Sequence, residues 1–321
     1  MSGRLSRRLT RVAGLDCGTN SLRLLVADLQ PGTPPSIGRE IVREMRVVRL
    51  GEGVDRTGEL SPAALARTFD VLRDYASQCR DLGAERVRMV ATSATRDARN
   101  TGDFTRGVRE ILGVDPEVIT GEREAALSFV GATGDLVSRP DLPDPYLVVD
   151  IGGGSTEFVL GGPDGPVASR SVDIGCVRMT ERHIRTDPPA PGELQAAEHD
   201  IAAAIADVRR TVDLAAARTL VAVAGTATTV TALALGLPAY DPQRIHLSAV
   251  SLADVERIYD ELARMDAAQR AALGAMHPGR VDVIIAGSLI LREVVRAAGT
   301  RGMIASEHDI LDGITLSLGQ P

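Results

Sequence analysis

Apolar residues along the chain gather in short runs broken by Gly, Pro and Asp, and these runs alternate with segments in which apolar positions recur at helical spacing. VAGLDCGTNSLRLLVADL reads as strand, Gly-containing turn and strand, with the second run, Leu22 to Leu29, ended by the loop signal QPGTPP. EIVREMRVVRL is expected as a third strand and GEGVDRTGEL as a loop. Ser61 and Pro62 then cap a helix reaching about Leu82, with Leu65, Phe69 and Leu72 on one face. VRMVATSATRDA reads as strand into helix, DFTRGVREILG as a helix and PEVIT as a short strand. A helix from Glu122 to about Gly131 and the proline-rich connection LVSRPDLPDPY follow. LVVDIGGGSTEFVLGG then repeats the opening strand, turn and strand. SRSVDIGCVRMTERH is strand into helix, TDPPAPGELQAAEHDIAAAIADVRR a loop and a long helix, and TLVAVAGTATTVTALALGL a strand, Gly turn and helix. VDVIIAGSLILREVVRAAG and SEHDILDGITLSLG close the chain as helices around a strand at GMIAS. Such alternation predicts an α/β fold.

The two Gly-rich hairpins align. Asp16 over Asp150, Gly18 over Gly152 and Ser21 over Ser155 share one offset of 134 residues. This predicts two related halves, each lending a hairpin to a shared cleft.

Composition narrows the chemistry. At 321 residues and 44% hydrophobic content the chain can fill two cores, and with 2% aromatic residues and no Trp those cores must be aliphatic. The scarcity of aromatics disfavours stacking on single-stranded nucleic acid, and a net charge of -7 supplies no basic field for nucleic acid or membrane. All 36 Lys+Arg residues are Arg, which excludes a P-loop lysine, a Schiff base and a lysine general base. Cys17, Cys79 and Cys176 are odd in number and far apart, which fits a reducing cytoplasm. The basic N-terminus lacks the apolar core of a signal peptide, and no window suits a membrane span.

Glycines at a tight turn let backbone N–H groups converge on an anion. DCGTNS and DIGGGST both have this character, and a strand rather than a helix follows each, which removes the dinucleotide fingerprint G-x-G-x-x-G. Asp16, Asp150 and Glu157 would repel a phosphate bound beside them unless a cation intervened, and Mg²⁺ suits such oxygen donors. Glu122, Arg123 and Glu124 open a helix at the expected domain crossing, where a carboxylate could take a proton from an attacking water. Arg96 in TSATRDA is a candidate phosphate contact, and Arg23 a lesser one. His183, His199, His246, His277 and His308 show no metal-ligand spacing and are expected to be structural or solvated. Cys17 has no His nearby in sequence to activate it.

In combination DCGTNSLRLL, ATSATRDARN, VITGEREAALSFVG, LVVDIGGGSTEFVL, IGCVRMTER, AVAGTATT and HDILDGI resemble the exopolyphosphatase and guanosine pentaphosphate phosphohydrolase (Ppx/GppA) family, from about Val12 to Leu318. The resemblance implies two actin-like (ribonuclease H-like) domains of the actin-like ATPase superfamily with an interdomain cleft. These would be residues 1–125 and 126–305, with the helix of about 306–321 packing back on the first. It places the catalytic acid on Glu124. Phosphate binding falls on Asp16, Gly18, Thr19, Asn20, Ser21 and Arg96, and on Gly152, Gly153, Gly154, Ser155 and Thr156. Glu157 matches a family acid near the metal, beside Asp16 and Asp150. The implied reaction is Mg²⁺-assisted attack of water on the terminal phosphorus of inorganic polyphosphate, with Glu124 as base and loop amides with Arg96 stabilising the transferring group. Thr19 stands where the family commonly has Ser. The chain also stops after the two-domain core, which puts processivity on long chains in doubt. Guanosine pentaphosphate is the alternative substrate. An actin-like sugar or acetate kinase and a non-catalytic polyphosphate or guanosine tetraphosphate sensor are the alternatives of other kinds. The resemblance allows a homodimer, and interdomain hinges are expected near residues 120–126 and 304–308.

Overall fold

The computed structural model describes residues 9–32 and 34–319, so the basic stretch 1–8 and the last two residues lie outside the described residues. The chain divides into two compact units, residues 1–119 with 310–321, and residues 120–309.

In the first unit β1 (Thr10–Cys17), β2 (Ser21–Gln30) and β3 (Ser36–Val47) form an antiparallel meander. α1 (Val54–Thr57), α2 (Pro62–Asp81), β4 (Arg86–Ala91), α3 (Ser93–Asp97), α4 (Thr101–Leu112) and β5 (Glu117–Val118) follow. β4 lies parallel to β1, and β5 parallel to β4, giving the order β3-β2-β1-β4-β5. β3 starts earlier than expected because pairing with β2 carries it through the polar residues before Glu40. The loop expected at GEGVDRTGEL contains the one-turn α1, closed at both ends by glycines in the left-handed region, Gly53 (φ 75) and Gly58 (φ 67). α2 begins as anticipated, with Ser61 Oγ accepting from Ala64 N–H and Pro62 at its first turn.

The second unit repeats this plan. α5 (Gly121–Thr133) leads into β6 (Tyr146–Ile151), β7 (Thr156–Gly162) and β8 (Gly165–Val172). Next come α6 (Cys176–His183), α7 (Pro191–Val208), β9 (Thr219–Val223), α8 (Ala224–Ala234) and α9 (Pro242–Ile245). β10 (Ala249–Ser251), α10 (Leu252–Arg264), α11 (Ala267–Ala271), α12 (Ile284–Ala298) and β11 (Gly302–Ala305) complete it. The order β10-β11-β9-β6-β7-β8 holds β6, β9 and β11 parallel and β6, β7 and β8 antiparallel. Strands β8-β7-β6-β9-β11 thus match β3-β2-β1-β4-β5 in order and sense. No Gly turn separates β9 from α8: the helix starts at Ala224, itself at φ 66, and Gly225 lies inside it.

Both cores are aliphatic. Tyr75, Phe104, Phe129, Tyr146, Phe158 and Tyr259 are buried, and aliphatic side chains, chiefly Leu, Val, Ile and Ala, fill most of the rest. Glu124 was expected in the first domain, with a boundary at residue 125. The structure puts it in the second unit, because α5 packs on β6, β7 and β8.

The final helix, Ile310–Ser317, begins four residues later than its expected start and packs on β1, β2 and β4 of the first unit. Asp312, almost fully buried, takes two hydrogen bonds from the Arg43 guanidinium at 2.6 and 3.1 Å, and Arg88 and Arg86 reach Ser317 and the Leu318 carbonyl. Gly14 makes the approach possible, since a Cβ there would stand 2.3 Å from Thr315 Oγ1 and 3.2 Å from its amide nitrogen. Gly14→Val should therefore push this helix off β1 and cost roughly 1–3 kcal/mol, readable as a shifted denaturant midpoint. An unshifted midpoint would mean that the contact contributes nothing to stability.

Candidate active site

The equivalent hairpins have the same turn. Gly18 N–H donates to the Ser21 carbonyl at 3.0 Å, and Gly152 N–H to the Ser155 carbonyl at 3.0 Å. In the second turn every glycine carbonyl is engaged from one side. Cys176 N–H donates to Gly152, Val177 and Arg178 N–H to Gly153, and Arg178 Nε to Gly154. A trans peptide points its N–H opposite its C=O, so the amides of Gly153, Gly154 and Ser155 are directed to the other side as a set. Such a nest binds an anion. In the first turn the Thr19 carbonyl accepts from Gly51 N–H, and that of Asn20 from Val48 and Arg49 N–H, which directs the amides of Asn20 and Ser21 away in the same fashion.

Two residues expected at the phosphate have hydroxyls that bond within these turns: Thr19 with Ser93 Oγ at 2.8 Å, and Thr156 to the Ile174 carbonyl.

The cross-strand partners of the two acids differ. Asp16 pairs with Arg23 in the β-ladder, and Asp150 with Glu157 at the equivalent register. Arg23 Nε and Nη2 donate to Asp16 Oδ2 at 2.9 and 2.7 Å, so the first hairpin matches its own charge. The second places two buried acids side by side, and α5 adds a third. Glu122 and Arg123 are exposed whereas Glu124 is buried, which separates the three residues that open this helix. Ser128, one turn on from Glu124, donates to Asp150 Oδ2 at 2.7 Å. Gly121 lets the helix start come close to β8, because a Cβ there would stand 2.5 Å from Ser171 Cβ. Ser171 in turn donates to Glu157 Oε1 at 2.8 Å. Burial first, then the negative charges of Glu124 and Asp150, raise the Glu157 carboxyl well above the ordinary range, against the hydrogen bonds of Ser155 and Ser171.

In the first unit Arg96, half-buried on α3, donates to the Ile119 carbonyl at 3.0 Å. It lies three residues from Ser93, the partner of Thr19, and therefore on the same helix face. Cys17 is excluded as a nucleophile, since burial and the neighbouring Asp16 charge push its thiol far up.

Sequence reasoning missed Arg280. Its guanidinium lies so close to Gly225 that a Cβ there would stand 2.4 Å from Cζ, and it donates to Thr229 Oγ1 at 2.9 Å. Its charge is felt by the Cys176 thiol, whose own N–H holds the glycine turn. HPGRVD carries no local signal of this; only the packing of its segment against the start of α8 brings the cation there. The histidines are also not all scattered, for His246 and His308 meet beside Asp135.

Residues 26–320 match the Ppx/GppA phosphatase family. The chain belongs to that family. It is 50% identical over 319 residues to Exopolyphosphatase 2 of Mycobacterium tuberculosis, covering 97% of this chain and 99% of that one. The crystal structure of an exopolyphosphatase-like protein superposes with a TM-score of 0.91 at 43% identity, covering 97% of this chain and 98% of that one. A Ppx/GppA family member from Aquifex aeolicus superposes with a TM-score of 0.77 at 28% identity, covering 97% of each chain. The fold is accordingly the two-domain α/β fold of the actin-like ATPases.

Ppx/GppA phosphatases are in general metal-dependent. The second hairpin fits a divalent cation. Asp150, Glu157 and Glu124 offer only oxygen donors, all buried, and their mutual repulsion is what a cation would relieve.

A raised folded-state pKa means that Glu157 holds its proton more tightly in the folded chain than in the unfolded one. Stability is then lost as pH rises above the ordinary value of 4.5. Glu157→Gln should raise the thermal midpoint of the metal-stripped protein near neutral pH, by roughly 2–4 °C per kcal/mol of repulsion removed. The gap should shrink toward pH 4.5. A variant no more stable than wild type at neutral pH would contradict the clustering of these acids.

Proposed function

We infer that this chain is an exopolyphosphatase, a hydrolase of phosphoric anhydrides that releases orthophosphate from the end of inorganic polyphosphate. The observation that carries this is the set of amides of Gly153, Gly154 and Ser155 on a turn flanked by Asp150, Glu157 and Glu124. An anion nest beside a cation site is what a phosphoanhydride requires, and the family membership gives the reaction class.

Glu124 is the general base. It is buried at the start of α5, aligned by the Gly121 contact and by Ser128, and it takes the proton of the attacking water as oxygen bonds to phosphorus and the bridging oxygen leaves. Asp150 and Glu157 hold the metal, assigned as Mg²⁺ on their hard oxygen donors. When bound, the ion would neutralise phosphate charge and withdraw electrons from the P–O bonds.

The amides of the second turn and Arg280 bind phosphoryl oxygens there. Those of Asn20 and Ser21, with Arg96, bind phosphate in the first unit. Gly18, like Gly152, closes its turn, while Thr19 and Thr156 act through their backbone. Asp16 was anticipated as a metal ligand; its ion pair with Arg23, made on Oδ2, fixes the first hairpin.

Phosphate release should require Mg²⁺ and stop on chelation. Glu124→Gln should lower kcat by about 10²- to 10⁴-fold with little change in KM. Ranking long and short polyphosphate against guanosine pentaphosphate measures the preference. Tight binding of polyphosphate without turnover by the wild type would replace the enzyme with a sensor.

Gly175 tests the nest. A Cβ there would stand 2.3 Å from the carbonyl of Gly153 and 2.4 Å from the Gly154 nitrogen, both backbone atoms. Gly175→Ala should displace the turn and reduce kcat/KM by about 100-fold with the fold retained. Unaltered kcat/KM would remove the turn from the reaction.

A further inference from the structure

The second unit brings together three side chains distant in sequence: Asp135 just beyond α5, His246 at the end of α9, and His308 shortly after β11. Their ligand atoms all lie within 4.8 Å of one another. Asp135 Oδ2 is 2.6 Å from His308 Nδ1 and 3.2 Å from His246 Nε2. The imidazole centroids are 4.5 Å apart with the rings inclined at 46°.

A single imidazole against a carboxylate is an ordinary ion pair. Two rings that turn one nitrogen each toward the same carboxylate oxygen, from separate segments, present a three-donor face. Tetrahedral ligands at Zn–N and Zn–O lengths stand about 3.3 Å apart. The His246 separation is already close to this, and His308 has to withdraw by less than an ångström.

We propose that Asp135, His246 and His308 bind a divalent transition-metal ion of the zinc class. Water completes the tetrahedron on the solvent side, where all three side chains are partly exposed. Two imidazoles and one carboxylate prefer Zn²⁺ or Co²⁺ to Mg²⁺, so this site differs in kind from the oxygen-only pair of Asp150 and Glu157.

Binding has one local cost. His246 Nδ1 accepts from the Glu307 N–H at 3.3 Å. A ring that ligates through Nε2 carries its proton on Nδ1, so this long contact opens on binding. With three protein ligands and that loss, affinity falls near the micromolar range, weaker than closed structural sites of four ligands. The ion would fasten the end of the helix that carries Glu124 to the segments leaving α9 and β11.

The test uses the tag-free full chain, stripped of metal and titrated with Co²⁺ by visible absorbance and with Zn²⁺ by calorimetry. One equivalent of Co²⁺ with tetrahedral bands, not displaced by excess Mg²⁺, is expected for the wild type and for Glu157→Gln. Affinity should fall at least tenfold in His246→Ala, His308→Ala and Asp135→Asn, with circular dichroism confirming the fold and His308→Gln as a second, bulk-conserving replacement. The proposal is overturned if these variants bind as the wild type does. It is equally overturned if the wild type shows no tetrahedral Co²⁺ spectrum, or takes up only the equivalents that Glu157→Gln loses.

Discussion

Burying carboxylates beside one another is unfavourable twice over, because each loses hydration and each repels its neighbours. The second unit does this with Glu157, Asp150 and Glu124, and much of its local structure holds that arrangement in place. Ser171 and Ser155 hydrogen-bond Glu157, Ser128 hydrogen-bonds Asp150, and Gly121 admits the start of α5 close to β8. Such an arrangement fits a cation, whose charge would relieve the repulsion. A cation proposed to bind there would find its donors already in place.

The first unit solves the same hairpin differently. At the register where β7 carries Glu157, β2 carries Arg23, and the acid on the preceding strand becomes half of an ion pair in which two guanidinium donors meet one oxygen, Asp16 Oδ2. One repeated scaffold thus yields a charge-matched turn in one unit and, with Glu124 added by α5, a cluster of buried acids in the other. Both turns keep the feature that the repeat exists to supply. Their carbonyls are satisfied from one side, by α6 in the second unit and by the backbone around Val48 to Gly51 in the first. The amides are therefore left directed to the other side.

The hydroxyls of Thr19 and Thr156 bond within their turns, and Thr19, where the resemblance leads one to expect Ser, keeps a hydroxyl for the bond to Ser93. Arginine carries every Lys/Arg role in a chain without lysine, and its several donors suit both the two-donor contact with Asp16 Oδ2 and the contacts proposed for Arg96 and Arg280 with phosphate.

The sequence by itself determined the hairpins, their repeat and the alternation of strand and helix, because glycine turns and period-two apolar runs are local properties. It also determined the family, through motifs spread from DCGTNS to HDILDGI. Tertiary structure alone decided the rest. The motif resemblance pointed to Glu124, but that Glu124 rather than Glu122 is buried against the hairpin depends on how α5 rolls onto β8, with Gly121 meeting Ser171. The start of α8 without a turn depends on the strained Ala224 and on Arg280 pressing against Gly225. The meeting of Asp135, His246 and His308 depends on three segments converging from opposite ends of the second unit. Spacing along a chain carries no trace of such meetings, because they are fixed by packing between elements rather than by the conformation of any one of them.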